Sequence, residues 1–119
     1  MPTHVGVQVI DMESNEPAAG IGIALRLPDG STKKGKTDAD GRARVDADVA
    51  GGSYTFTLET GPWFAAQSRA TCYPSVSVSV DVAKDDDFLV SVLLGPYSYT
   101  TFRGRESVDR RPGWLKALS

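Results

Sequence analysis

The chemistry open to this 119-residue chain is narrowed at once by its imidazoles and thiols, for His4 is its one histidine and Cys72 its one cysteine. A transition-metal site needs clustered His, Cys or carboxylate ligands, so no metal is expected. A Ser-His-Asp triad would have to recruit His4, and no Gly-x-Ser-x-Gly turn exists to present a nucleophile. Ser31 to Lys34 spells S-x-x-K but stands without companion motifs. Asp38, Asp40 and Gly41 match the middle of a calcium loop, yet Lys36 and Ala47 fill its first and closing ligand positions, so the segment reads as an Asp-Gly turn. Cys72 would need a neighbouring base or positive field to act as a nucleophile, and a buried, inert thiol is expected. No cofactor is implied. The chemistry left is that of carboxylates, guanidiniums and hydroxyls, which hold charge or move a proton where the fold gathers them.

The elements that must position them are strands. Short runs rich in Val, Ile, Thr, Phe and Tyr recur between Gly, Asp, Asn and Pro, the pattern of an all-β sandwich or barrel. Eight strands are expected: Val5–Asp11, Ile21–Leu27, Ser31–Thr37, Arg42–Asp46, Tyr54–Glu59, Val76–Val82, Phe88–Leu94 and Tyr97–Arg103. Asn15 to Gly20 is read as a turn, and the lysines of the third strand suit an exposed edge. Pro62 to Ala70 is the expected helix, with Pro62 in its first turn.

Size and charge bound the rest. A chain of this length forms one domain without a disulfide or metal staple. Lys plus Arg number 13 and Asp plus Glu 15, a net −2 that favours neither a nucleic-acid nor a membrane partner. No apolar run reaches the roughly 18 residues that span a bilayer, and the amino terminus lacks the pattern of a secretory signal, so a cytoplasmic location is expected. The sandwich is expected to end near residue 105, with a charged extension over 106–119.

Four segments in order, VIDMESNEPAAGIGIAL, KTDADGRARV, ETGPWFAAQSRATCYPSVSVSV and VSVLLGPYSYTTFRGR, resemble the transthyretin and 5-hydroxyisourate hydrolase family over roughly Val7 to Arg105. The resemblance implies a two-sheet, eight-stranded transthyretin-like sandwich with one short helix. It also implies a homotetramer, a dimer of dimers with a small-molecule channel between the dimers. In the hydrolase branch the ring opening of a cyclic ureide uses a first-strand histidine, an arginine after the Asp-Gly turn, a seventh-strand histidine and a closing Tyr-Arg-Gly-Ser. In this chain those positions hold Gln8, Arg42, Leu89 and Phe102-Arg103-Gly104-Arg105. His4 lies four residues before the first-strand position. Neither an amide nor an isobutyl group relays a proton near neutral pH, so the parent reaction is expected to be impaired.

Period two groups Gln8 with Ile10, Asp87 with Leu89 and Ser91, and Thr100 with Phe102 and Gly104. Should these faces line the channel, its wall is largely apolar with Arg42, Gln8 and Ser91 as polar points, and Arg105 reinforces a preference for anions. Three functions then compete. The first is a divergent enzyme for a small cyclic or acidic metabolite, with Arg42 and Asp87 catalytic and Gln8 positioning the substrate. The second is a non-catalytic carrier or sensor of a small ligand. The third is 5-hydroxyisourate hydrolysis in purine breakdown.

Overall fold

Alternation of apolar and polar residues puts every second side chain on one face of a strand, and two such faces closed on each other make the core of this chain. The computed structural model describes residues 3–47, 51–84 and 87–104, and within them the side chains of residues 5–44, 51–84 and 88–103. The larger sheet contains β1 (Thr3–Asp11), β2 (Glu16–Pro17), β5 (Arg42–Ala47), β8 (Asp87–Leu94) and β9 (Tyr99–Gly104). The smaller runs β4 (Thr32–Lys36), β3 (Gly22–Arg26), β6 (Gly52–Leu58) and β7 (Val76–Val82). In the larger sheet β1 lies parallel to β8, β9 flanks β8, and both β2 and β5 pair with the other side of β1.

Val5, Val7 and Val9 of β1 and Phe88, Val90, Val92 and Leu94 of β8 meet Ile23, Leu25, Tyr54, Phe56 and Leu58 of the smaller sheet in one buried cluster. Burial raises the Tyr54 phenol above its ordinary pKa, with the Asp29 carboxylate adding to it. The expected eight strands are all present. A further two-residue strand, β2, lies inside the stretch read as a turn, where Pro17 and Glu16 pair with Ile10 and Asp11.

The helix departs from its expected span. It covers Thr60–Ala65 rather than Pro62–Ala70. Ser68 takes a left-handed φ of 57°, the Ser68 amide donates to the Ala65 carbonyl, and the Arg69 amide donates to the Phe64 carbonyl. This is a Schellman ending, which turns the chain away from the axis although Ala66 and Gln67 favour helix. The helix is anchored by its buried Phe64, by Thr60 Oγ1 donating to the Tyr73 carbonyl at 2.9 Å, and by Trp63 Nε1 donating to the Ala19 carbonyl at 2.8 Å.

Arg69 accounts for the early stop. Its guanidinium donates to both Asp11 oxygens, at 2.7 and 3.2 Å, and to Glu13, and it lies over the Phe64 ring at 4.7 Å. Burial alone would raise the Asp11 pKa, but the bonds from Arg69 and from the Glu13 amide outweigh it and hold the carboxyl below its ordinary 3.8. The folded value lies below the unfolded one, so this stabilisation is complete above the ordinary carboxylate range and is lost as pH falls through the depressed value. We predict that the wild-type urea midpoint falls more between about pH 5 and about pH 3 than that of Asp11→Asn. Equal falls would show that Asp11 carries none of the acid sensitivity.

One further expectation is corrected. Cys72 is exposed rather than buried, because it lies in the loop between the helix and β7, tied by its amide to the Pro96 carbonyl at 3.0 Å. Tyr97 and Tyr99 are exposed in the single chain, with Tyr99 edge-on to Tyr73 at 5.2 Å between ring centres.

Candidate functional site

The outward face of the larger sheet is built by the same alternation that fills the core, and backbone register fixes which residues share it. Gln8 pairs with Arg42 on one side and with Ser91 on the other, and Ser91 in turn pairs with Phe102. One step along, Gly6 pairs with Arg44 and Leu89, and Leu89 with Gly104. One step the other way, Ile10 pairs with Leu93, and Leu93 with Thr100. Gln8, Ile10, Arg42, Leu89, Ser91 and Phe102 therefore form a single patch, as the period-two grouping expected. With strands about 4.8 Å apart and residues of one face about 6.7 Å apart along each, Gln8 and Leu89 stand within roughly 8 Å of each other.

Their exposures differ for reasons visible in the register. Leu89 is 1% exposed, yet it stands outside the core cluster, because it lies on the other side of the sheet. Ser91 is 3% exposed between Gln8 and Phe102, whereas Phe102 itself is 49% exposed, a surface residue of this face rather than a core one. Gln8 and Ile10 are half-buried. Asp87 pairs through its backbone with His4, but the side chains of both lie outside the described residues, as do Arg105 and the extension 106–119.

Arg42 is placed by its turn. Asp38 Oδ1 accepts from the amides of Asp40, at 2.9 Å, and Arg42, at 3.0 Å, and the Gly41 amide donates to the Asp38 carbonyl. Gly41 has φ +73°, which glycine adopts at little cost. A Cβ there would fall well inside contact with the Val9 carbonyl and 3.1 Å from the Ala18 amide nitrogen. We predict that Gly41→Ala lowers stability by about 2–4 kcal/mol, read as a lower urea midpoint at unchanged slope. A loss below about 0.5 kcal/mol, the range of an ordinary surface change, would mean the turn tolerates a side chain.

Arg42 Nε is buried and has no hydrogen-bond partner among the described residues. An unsatisfied buried donor is uncommon, and a ligand oxygen laid against it would remove the deficit. Arg44 is the residue the site search passed over. Counting two on from Arg42 places it on the same face, and the register confirms this, although it already has an interaction partner of its own. The arrangement can hold an anion or a polarised carbonyl at Arg42 and orient it with the Gln8 amide and Ser91 hydroxyl, over a floor of Leu89, Ile10 and Phe102. Among the described residues no group of three His, Cys, Asp or Glu could hold a metal, and no helix is long and apolar enough to cross a membrane.

Comparison with known proteins agrees with this architecture. The profile of the HIUase/Transthyretin family matches residues 5–104. A probable 5-hydroxyisourate hydrolase of Schizosaccharomyces pombe is 36% identical over 107 residues, covering 81% of this chain and 86% of that relative. A 5-hydroxyisourate hydrolase of Caulobacter vibrioides is 36% identical over 115 residues, covering 87% and 96%. The solved structure of Klebsiella pneumoniae 5-hydroxyisourate hydrolase superposes with a TM-score of 0.75 at 28% identity, covering 86% of this chain and 93% of that one. Matched along nearly the whole sandwich by profile, by sequence and by fold, this chain belongs to the HIUase/transthyretin family.

Proposed function

We propose that this protein is a ring-opening hydrolase for a small cyclic ureide of the 5-hydroxyisourate type, acting in purine breakdown in the cytoplasm. It works as a homotetramer whose channel between dimers is walled by the outward face of the larger sheet. The observation that carries the reading is the register that sets Gln8 between Arg42 and Ser91, with the Arg42 Nε buried and without a hydrogen-bond partner among the described residues. The activity printed for relatives at 36% identity supports the substrate class, and moves hydrolysis ahead of the other two functions weighed from the motif positions.

In this reading water adds to a ring carbonyl, the oxyanion is held by Arg42, the ring C–N bond breaks and the departing nitrogen takes a proton. Gln8 orients the ureide by donating and accepting hydrogen bonds, and Ser91 offers a further donor. The apolar floor excludes water from all but the reacting edge of the ring. With an amide at position 8 and an isobutyl group at position 89, proton transfer falls to solvent or to Asp87. The enzyme is then slower than a relative using two imidazoles by about 100- to 10,000-fold.

A second reading has its own observation. Leu89 is buried and aliphatic at a position where the resemblance implies a proton carrier, which suits a divergent enzyme for another small cyclic or acidic metabolite. One assay separates the two. Freshly made 5-hydroxyisourate is mixed with the protein and its ultraviolet absorption is followed. The hydrolase reading expects decay faster than the spontaneous rate and saturable in substrate. Decay at the spontaneous rate, across protein concentrations, removes that reading and leaves the second.

A further inference from the structure

Away from the outward face, the sandwich opens between two of its edge strands, β4 of the smaller sheet and β5 of the larger, around a cavity of about 360 Å³. Its floor is apolar: Ile23, Leu25 and Phe56, each less than a tenth exposed, reach it from the core. Pairing places Gly35 opposite Ile23 and Lys33 opposite Leu25, so both belong to the inward face of β4. A Cβ built on Gly35 meets no atom within 4 Å. The missing side chain therefore leaves the gap open.

The mouth has the opposite character. Lys33, Lys34, Lys36, Arg42 and Arg44 line it with a single carboxylate, Asp38, whose Oδ1 already accepts from two backbone amides. A chain whose net charge is −2 thus gathers five cations at one opening. Lysines along an edge strand also discourage pairing with another molecule, and that role explains the charge. It does not explain the gap at Gly35 above an apolar floor, nor the buried Arg42 Nε that has no partner among the described residues.

We infer that this cavity is a binding site for a small amphipathic carboxylate. A chain or ring of about eight carbons lies over Ile23, Leu25 and Phe56, and the carboxylate sits between Lys33 and Arg42 at the mouth. The site does not depend on the ring-opening reading: the two border each other at Arg42 and Arg44, and the variants that test it leave both arginines intact.

Isothermal titration of the full chain with sodium octanoate, at about 150 mM salt to screen weak surface pairing, tests the site. The expected result is saturable binding of one octanoate per chain, with 1-octanol and octyltrimethylammonium at least about tenfold weaker. Gly35→Leu puts a side chain into the gap, its Cβ clear of other atoms, and Lys33→Glu with Lys36→Glu reverses the charge at the mouth. Each is expected to weaken octanoate at least about tenfold, while melting followed by circular dichroism shows that the unliganded variants are folded. If one variant does not fold, the other decides. Absence of saturable binding, binding of the cationic or neutral chain as tight as octanoate, or unchanged affinity in a folded variant would each overturn the assignment.

Discussion

The Gln8→His, Leu89→His double variant is expected to open 5-hydroxyisourate about 100- to 10,000-fold faster than the wild-type protein, the range that positioned acid-base groups contribute. The two positions lie on one face of neighbouring strands, roughly 8 Å apart by strand spacing, close enough for both imidazoles to reach one small ring. Leu89 is flanked in register by Gly6 and Gly104, so neither paired strand sets a side chain directly beside it. A histidine in that buried place loses solvation and is held toward its neutral form, the state able to accept a proton. Each single variant is expected to recover less than the pair, since the reaction needs a proton both taken and given. Progress curves for the wild type, both single variants and the double variant check this, and equal rates in all four would place the reacting ring elsewhere.

Arg42→Ala is expected to lower kcat/KM for the same substrate by about 100- to 1,000-fold, with most of the loss in kcat, because the guanidinium acts on charge that develops only as the ring opens. Arg42→Lys should recover part of the charge effect but not the paired donors of a planar fork, and so fall between the two. The Asp38–Gly41 turn that delivers Arg42 remains intact in both variants, since its bonds run to backbone amides and to the residue 38 carboxylate. A loss confined to KM would assign Arg42 to binding alone. An unchanged kcat/KM would remove it from the reaction.

Much of this fold is legible in local sequence because its strands obey period two. Val76 to Val82 is the clearest case, with the end valines buried and Val78 and Val80 packed against the core. Asp40-Gly41 announced a turn, and the positive φ at Gly41 is what that pair promises. The helix end was not legible. Nothing near Ser68 signals that Arg69 will meet Asp11, 58 residues earlier, and local propensity argues for continuing. The two-residue strand at Glu16–Pro17 is equally hidden, since it owes its existence to Ile10 and Asp11 rather than to its own composition.

The candidate site divides along the same line. Which residues share a face followed from alternation, and the register kept Gln8, Arg42, Ser91 and Phe102 together. Alternation gave Arg44 as well, had it been carried one step past Arg42. What alternation could not supply is depth. Leu89 and Phe102 share that face, yet one is 1% and the other 49% exposed, because burial depends on what the neighbouring strands bring alongside. The unpartnered Arg42 Nε is likewise a property of packing, not of the Asp-Gly-Arg motif.

Cocrystals of the full chain with urate, a planar ureide that does not hydrolyse on standing, test most directly whether the outward face around Arg42 is where such a ring is held. The expected density lies against the larger sheet, with a urate oxygen within about 3 Å of Arg42 Nε and the ring over Gln8, toward Leu89. Urate bound at any other surface while that face stays open to solvent would contradict the placement of the site.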